Sequence, residues 1–452
     1  MKILVLFLLS PLFLFSQTQI GDNIYGAAEG DQFGTSVSIS SDGSIVAIGA
    51  PFNENAGTYT GQVRVFENIS DAWIQIGEDI NGAAAGDGFG TSVSISSDGL
   101  TVAIGGQGND TGGNAAGHVR VFENISGVWT QIGGDINGSA GDLFGRNVSL
   151  SNNGLKIAIG APGGDYVSVY ENNSGTWTQL GSDIVQITDL SIYDIEFSGD
   201  GSTVSIYPLL SEQNQIRVYR FLAGNWTEIG ELNDVGPNFS YSSLSYDGTV
   251  IGVTSQNNGT KVYGNISNTS WTQIGNTINN DGFGGDIDLS SDGSILAVLF
   301  RGFVSVGQVK IFQYDGNNWI ERGGYLGIGG EYTITTISLS GDGAFIVDGT
   351  PFVAQNNPNT GYARVFGLSA LLSSDDFVLS QFSLFPNPAK DQFAISLNKS
   401  IELEHINIYN HLAQLISTTQ ETTVNTSHLA SGMYFVELIT DKGKATKKLI
   451  LQ

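Results

Sequence analysis

FGTSVSISSDGSIVAIGAP, residues 33–51, is the stretch on which the fold turns. It returns at Phe89 as FGTSVSISSDGLTVAIGGQ and at Phe144 as FGRNVSLSNNGLKIAIGAP. Weaker copies centre on Asp200-Gly201, Asp247-Gly248, Asp292-Gly293 and Asp342-Gly343, which makes seven. A repeat at a fixed period decides the architecture before any single residue does. Inside the first copy, Ser36 to Ser40 alternates polar and apolar residues, the period of a half-buried strand. Ser41-Asp42-Gly43 is a tight turn, because Asp and Gly tolerate positive φ. Ile45–Gly49 is a second strand and Phe52–Gly61 a polar loop. Gln62–Glu67 is a third strand and Trp73–Ile76 a fourth.

All six tryptophans obey the same period. Trp73, Trp129, Trp177, Trp226, Trp271 and Trp319 are spaced 56, 48, 49, 45 and 48 residues apart. Units of this length, each with four strands, are the signature of propeller blades. Seven first hairpins against six tryptophans leave one outer strand missing. Gln17–Ile24 (QTQIGDNI) matches the WTQIGGDI run at 129–136 without its tryptophan, while Tyr362–Phe366 is a third strand with nothing after it. The predicted fold is therefore all-β: a seven-bladed β-propeller over residues 17–366 whose N-terminal strand closes the last blade and leaves no open edge. A linker, 367–380, leads to a small C-terminal β-sandwich at 381–452, where short alternating runs replace the repeat.

Composition narrows the function classes. Only 14% of residues are charged and 61 are glycine, which suits many short strands joined by turns. The net charge is −26. All of it lies before residue 381, because residues 381–452 carry equal numbers of lysines and carboxylates. Such an acidic propeller argues against nucleic acid or anionic lipid as a partner. There are no cysteines, so thiol catalysis and Cys-ligated zinc are excluded. Lys2 followed by the apolar stretch 3–15 has the proportions of a signal peptide over residues 1–16. No later stretch is long and apolar enough for a membrane span in the mature protein.

Phe33-Gly34 with Gly49-Ala50-Pro51, and Phe144-Gly145 with Gly160-Ala161-Pro162, resemble the FG-GAP repeats of integrin-α-type propellers. That family often holds calcium in the loop between the first two strands. Here the loop has shrunk to SSDG, SNNG or SGDG, and one carboxylate in a two-residue turn cannot supply six to eight oxygens. No cofactor is expected; the usual calcium loop is absent, and the turn aspartates are read as turn formers.

The C-terminal segment resembles the type A C-terminal sorting domain of the type IX secretion system of Bacteroidetes. The resemblance rests on Phe385-Pro386-Asn387-Pro388-Ala389, Ile406–Tyr409, LASGMYFVEL at 429–438 and GKATKKLIL at 443–451. Ala413-Gln414 departs from the Gly-Gln usual there. The resemblance implies that Pro386, Asn387, Pro388, Gly432, Tyr434, Lys447 and Lys448 carry the sorting signal. It implies as partners the secretion machinery and its sorting peptidase, and a mature protein released or attached to the outer-membrane surface. Read from composition alone, the Pro-Asn-Pro run is a rigid strand opener and Lys447-Lys448 a solvated end.

No catalytic constellation stands out. His118 is the one histidine of the propeller, in the place of Gln62, and it reads as structural. No metal site is expected. The Gly-rich stretch at Gly105-Gly106-Gln107-Gly108 lacks the residues of a phosphate loop. The loops between second and third strands are long in blades one, two and seven, which are neighbours in the ring. Asn53, Asn55, Asn109, Asp110, Asn114, Asn356 and Asn357 mark a candidate binding rim on them. The favoured function is a secreted or cell-surface, adhesin-like binding propeller that recognises a glycan or protein without catalysis. The alternative is a polysaccharide lyase or hydrolase using carboxylates on the propeller face.

Overall fold

The computed structural model describes residues 18–452 apart from 186–191, 209–214, 233–240, 256–257, 266–269, 280–282, 302–306, 327–333, 353–359, 369–381, 391, 398–402, 411–414, 428, 441–442 and 452. The predicted signal peptide, most of the linker, and Asn356 and Asn357 lie outside the described residues. The chain forms two compact units, Gln19–Leu368 and one that holds Ser369–Gln452. The regular structure among the described residues is all β-strand.

In the first blade Ser36–Ile39, Ile45–Ala50, Gln62–Ile69 and Ala72–Gln75 pair antiparallel in chain order, and Ile80–Asn81 returns to pair with the third strand. Ser70 and Asp71, both at positive φ, make the hairpin between strands three and four. The same order recurs through six sheets. The seventh is completed from the other end of the chain: Thr18–Gln19 and Ile24–Tyr25 both pair with Tyr362–Gly367, Ile24 opposite Ala363. The edge that the last repeat leaves open is thus covered by the first residues of the described chain.

The apolar run of the second strand explains how blades stack. In Ile45–Ala50 every residue is buried. Val46 and Ile48 pack with Val347 and Val365 of the seventh blade, whereas Ile45 and Ala47 pack with Val102 and Ile104 of the second. A strand buried on both faces has to be apolar throughout rather than alternating.

The tryptophans tie neighbouring blades by a polar bond as well as by packing. The indole Nε1–H of Trp73 donates to the carbonyl of Ile20 at 2.8 Å, and Trp129 donates to Ile76 at 2.8 Å. Trp177, Trp226 and Trp319 donate in the same way to Ile132, Leu180 and Ile274. Each acceptor is the Ile or Leu three residues after the tryptophan position of the preceding outer strand, which Gln17 occupies in the first, so the WTQIG motif is donor and acceptor of one inter-blade bond. Trp271 departs from the rule. The strand before it, Asn225–Leu232, carries a bulge at Ile229, and the buried Trp271 Nε1 has no hydrogen-bond partner among the described residues.

Phe and Gly of the FG motif each have one task. Phe33, Phe89 and Phe144 bridge to Gly361, Gly61 and Gly117 of the preceding blade. Gly34, Gly90 and Gly145 donate their N–H to the glycine carbonyl of their own blade's second strand at 2.9–3.1 Å. Gly90 adopts φ +90, and a Cβ there would stand 2.7 Å from the carbonyl oxygen of Gln62, so no side chain fits.

In the second unit Phe382–Phe385, Gln392–Leu397 and Thr423–Asn425 form one sheet. Leu415–Thr419, Leu403–Asn410, Gly432–Thr440 and Gly443–Leu451 form the other. Phe393 and Ile395 of the first share a core with Ile406, Ile408, Val436 and Leu449 of the second, which makes a sandwich.

Trp129→Phe removes a made hydrogen bond, whereas Trp271→Phe removes an unpaired donor. The first is expected to cost about 1 kcal/mol and the second less, or to stabilise. Chemical denaturation of the two variants side by side measures the difference.

Candidate functional site

Two regions gather the polar chemistry of the propeller: the central channel and the loop rim. The channel begins with an edge problem. The first strand of each blade is the innermost, and the row of N–H groups on its channel-facing edge has no strand to pair with. The neighbouring blade supplies side-chain acceptors. Ser38 Oγ accepts from the Ile95 N–H at 3.1 Å, Ser94 Oγ from Leu150 at 3.0 Å, Ser149 Oγ from Phe197 at 3.2 Å, and Ser243 Oγ from Leu289 at 3.0 Å.

In blades four and six the serine pattern gives way to carboxylates: Asp194 and Glu196, then Asp286 and Asp288. Asp194 Oδ2 accepts from the Ser242 N–H at 3.0 Å. Asp286 Oδ2 accepts from the Ile337 N–H at 2.9 Å and from Thr336 Oγ1 at 3.0 Å. Asp288 bridges two blades: Oδ1 accepts from Ser243 Oγ at 2.9 Å and Oδ2 from the Leu339 N–H at 2.7 Å. Glu196 Oε1 accepts from Ser149 Oγ at 3.3 Å. All four line a cavity of about 200 Å³ together with Ser38, Ser94 and Asn147. Each keeps a facet on this narrow space while protein surrounds it.

That placement raises their proton affinity. Burial is the main cause, and for Asp194, Glu196 and Asp288 the repulsion of neighbouring carboxylates adds to it. Asp194 is pushed up to about 7, opposed by its bonds from Ser242, and Asp288 to about 6. Burial, with Asp288 and Asp194 nearby, lifts Glu196 well above the usual carboxylate range. Burial also raises Asp286, against its bonds from Ile337 and Thr336 and the attraction of Arg301.

One mouth of the channel is girdled by the Asp-Gly turns. The turn aspartates are occupied locally: Asp42 Oδ1 accepts from Ser40 Oγ and the Ser44 N–H, and the Ser40 hydroxyl caps the Ile45 N–H. The same Ser–Asp pair recurs at Asp98, Asp200, Asp247, Asp292 and Asp342, and as Ser151–Asn153 in blade three. Among the described residues no group of three or more His, Cys, Asp or Glu is placed to hold a metal ion.

On the loop rim, Asp31 and Asp87 organise the local structure. Asp31 Oδ2 accepts from the Ala28 N–H at 2.8 Å and from Asn53 Nδ2 at 3.0 Å. Asp87 accepts from the Ala83 and Ala84 N–H groups and from Asn109 Nδ2. Asn53 and Asn109 are therefore buried staples at 1% and 2% exposure, not rim groups open to a ligand. Their position in a long polar loop hid this, because the acceptor lies 22 residues earlier in the chain. Asn55, Asp110 and Asn114 are exposed, and the Asp110 carboxylate caps the Ala115 N–H.

The staples hold up an aromatic pair that polar patterning did not single out. Phe52 and Tyr59 are 40% and 50% exposed, and their rings meet edge to face at 5.3 Å. Tyr59 sits at φ +52, where blade two has Ala115 at φ +50. The Thr58 and Tyr59 carbonyls accept from Gly86 and Gly88 of the next blade, which fixes the loop from the far side.

His118 is fully buried, with Nδ1 3.7 Å from Asp135 Oδ2, and burial lowers its proton affinity. A Cβ on Gly106 would stand 2.7 Å from its Nε2, so the glycine that replaces Ala50 of the first blade makes room for the ring.

In the C-terminal unit the predicted sorting residues come together. Asn387 Nδ2 donates to the Lys448 carbonyl at 2.7 Å, and Asn387 Oδ1 accepts from the Ile450 N–H at 3.0 Å. Gly432 pairs with Leu451, and Tyr434 lies in the same strand, its hydroxyl donating to the Ala430 carbonyl. Lys447 is not a solvated end. Its ammonium lies 4.6 Å over the Phe382 ring and donates to the Phe382 carbonyl, and burial lowers its proton affinity.

Comparison with known proteins agrees with this geometry. Residues 25–66 match the model of the FG-GAP repeat, and residues 383–452 match that of the secretion system C-terminal sorting domain. The crystal structure of the Myceliophteria thermophila Cps50 (Swd1) beta-propeller domain superposes with a TM-score of 0.56 at 11% identity, over 78% of this chain and 99% of that one. A protein from Lactobacillus plantarum superposes with a TM-score of 0.47 at 15% identity, over 65% of this chain and 84% of that one. No curated protein matches the chain. The chain is thus a β-propeller with an FG-GAP repeat that ends in a sorting domain. The sorting domain implies export through the type IX secretion system to the surface or the medium.

The four channel carboxylates have raised proton affinities in the fold, and unfolding returns them to about 4. Between those values the folded state binds more protons, so stability is fully present at low pH and falls as pH rises through 6 to 7. The melting temperature is expected to be higher at pH 5 than at pH 8. Glu196→Ser, the residue of other blades at this position, should raise it at pH 8 and flatten the dependence in calorimetry.

Proposed function

We propose that the protein is a non-catalytic binding propeller, secreted or attached to the cell surface after removal of residues 1–16, that recognises a saccharide through the rim of blades seven, one and two. The observation that carries this reading is the Phe52–Tyr59 pair. Two large rings stand in solvent on a loop pinned by Asp31–Asn53 on one side and by Gly86 and Gly88 on the other. A tyrosine held at positive φ costs roughly 1 kcal/mol that a glycine would not, so the ring has a use beyond fitting the loop. Exposed aromatic faces on the loop that carries Asn55, with Asp110 and Asn114 exposed on the corresponding loop of the next blade, suit a sugar ring, which offers C–H groups to an aromatic face and hydroxyls to polar side chains. The −26 charge favours a neutral or amino sugar over an acidic polysaccharide. A protein ligand would use the same rim.

The alternative, a lyase or hydrolase working through carboxylates, has its best carboxylates inside the channel. There Asp194, Asp286 and Asp288 accept inter-blade N–H groups, Glu196 accepts an inter-blade hydroxyl, and all four face about 200 Å³, room for a few waters rather than for a polymer. That placement supports the binding reading.

Phe52→Ala with Tyr59→Ala is expected to abolish retention on the polysaccharides that a glycan array identifies for the native protein, with the melting temperature kept within a few degrees. Undiminished retention by the double variant would remove the rim from the reading.

A further inference from the structure

The sorting residues lie at both ends of the C-terminal unit, more than 60 residues apart in sequence, yet one side chain joins them. Asn387 uses both atoms of its amide on the final strand: Nδ2–H to the Lys448 carbonyl and Oδ1 from the Ile450 N–H. Two residues on, the Ala389 N–H donates to the Ile450 carbonyl at 2.8 Å, and Ala389 bridges Leu451 in parallel register. An aspartate there would lose the donor and a glutamine would overreach, so the geometry calls for asparagine. Final-strand residues Lys448 and Ile450 pair with Phe435 and Met433 and share their face, which carries an exposed Met433 and an exposed Lys448. Phe385, just before the Pro-Asn-Pro run, is 52% exposed.

We infer that the sorting signal is a folded, two-ended surface in which the 385–389 segment and the 448–451 strand end are read together by one protein of the secretion machinery, with Asn387 as the positioning residue that holds the two ends in register. The partner surface that fits is apolar, to cover Met433, Ile450 and Phe385, with a carboxylate for Lys448. The inference rests on residues 383–452 being a sorting domain.

The test uses the full chain in a bacterium with a type IX secretion system, comparing the native protein, Asn387→Ala and a chain ending before residue 383. Export is read as cell-retained against surface or medium protein, and amide exchange is followed on the purified chains. Asn387→Ala should be retained in the cell. Its Ile450 amide should exchange about tenfold faster while the Val436 and Leu438 amides stay protected. If Val436 and Leu438 also lose protection, Asn387→Asp, which keeps the acceptor for Ile450, replaces it with the same expectation of retention. Normal export of the variant beside a retained truncated chain overturns the clasp and leaves the sorting role standing. Normal export of the truncated chain overturns the sorting role itself.

Discussion

The innermost strand of a blade is an edge, and seven edges meeting around one axis must satisfy one another. At the turn level they do so by a closed ring of backbone bonds. The N–H of Ser41 donates to Ser97, Ser97 to Asn152, and Asn152 to Gly199. Asp200 then donates to Tyr246, Tyr246 to Ser291, Ser291 to Gly341, and Asp342 back to Ser41, each at 2.8–3.0 Å. Every blade gives one bond and takes one. The ring tolerates a one-residue shift at blades four and seven, where a glycine carbonyl accepts and the following aspartate donates. It depends on turns of a single shape, and the Ser–Asp pair enforces that shape seven times, once with Asn153 in place of Asp. The repeat phrase is therefore conserved along the chain for a mechanical reason: a longer calcium-type loop in one blade would break the ring at that point.

Closure of this kind lets the blades differ elsewhere. Blades one to three are joined on the other face by the FG phenylalanines and on the channel by serines. In blades four and six carboxylates take the serine positions: Asp288 accepts from Leu339 the N–H that a serine takes elsewhere, Asp194 and Asp286 accept other inter-blade N–H groups, and all four bring their charge into the protein interior. Asp194 at about 7 and Asp288 at about 6 show how far burial opposes that charge. The links made by Asp194, Glu196, Asp286 and Asp288 thus depend on proton binding, and those that the serines make to backbone N–H groups do not.

Much of this was legible in the chain. The Asp-Gly turns, the two-sided apolar second strand and the tryptophan period each obey a local rule, and the missing tryptophan pointed to closure by the N-terminal strand, which Ile24 opposite Ala363 shows. The tryptophan bond itself was not legible, because its acceptor is a backbone carbonyl one blade away. The channel carboxylates left a trace that periodicity passes over: Asp194-Ile195-Glu196-Phe197 and Asp286-Ile287-Asp288-Leu289 keep the alternation of Ser-Val-Ser-Ile while changing its chemistry. Polar loop composition misled at Asn53 and Asn109. An asparagine in a long loop looks solvent-facing, and only the fold shows that Asp31 and Asp87 have drawn the two inside.

That inversion bears on how a scaffold of this kind recognises anything. A rim of free asparagines would have to be ordered by its ligand, and the ordering would be subtracted from affinity. Here Asn53 and Asn109 are spent beforehand on holding the loops, and Phe52 and Tyr59, with few rotatable bonds, stand exposed on the first of them. The C-terminal unit follows the same logic on a smaller scale. Asn387 spends one N–H and its carbonyl oxygen on the last strand and so fixes the end of the sheet. In both units an amide side chain is used on the protein's own backbone and carboxylates, and it sets the geometry of the exposed residues around it.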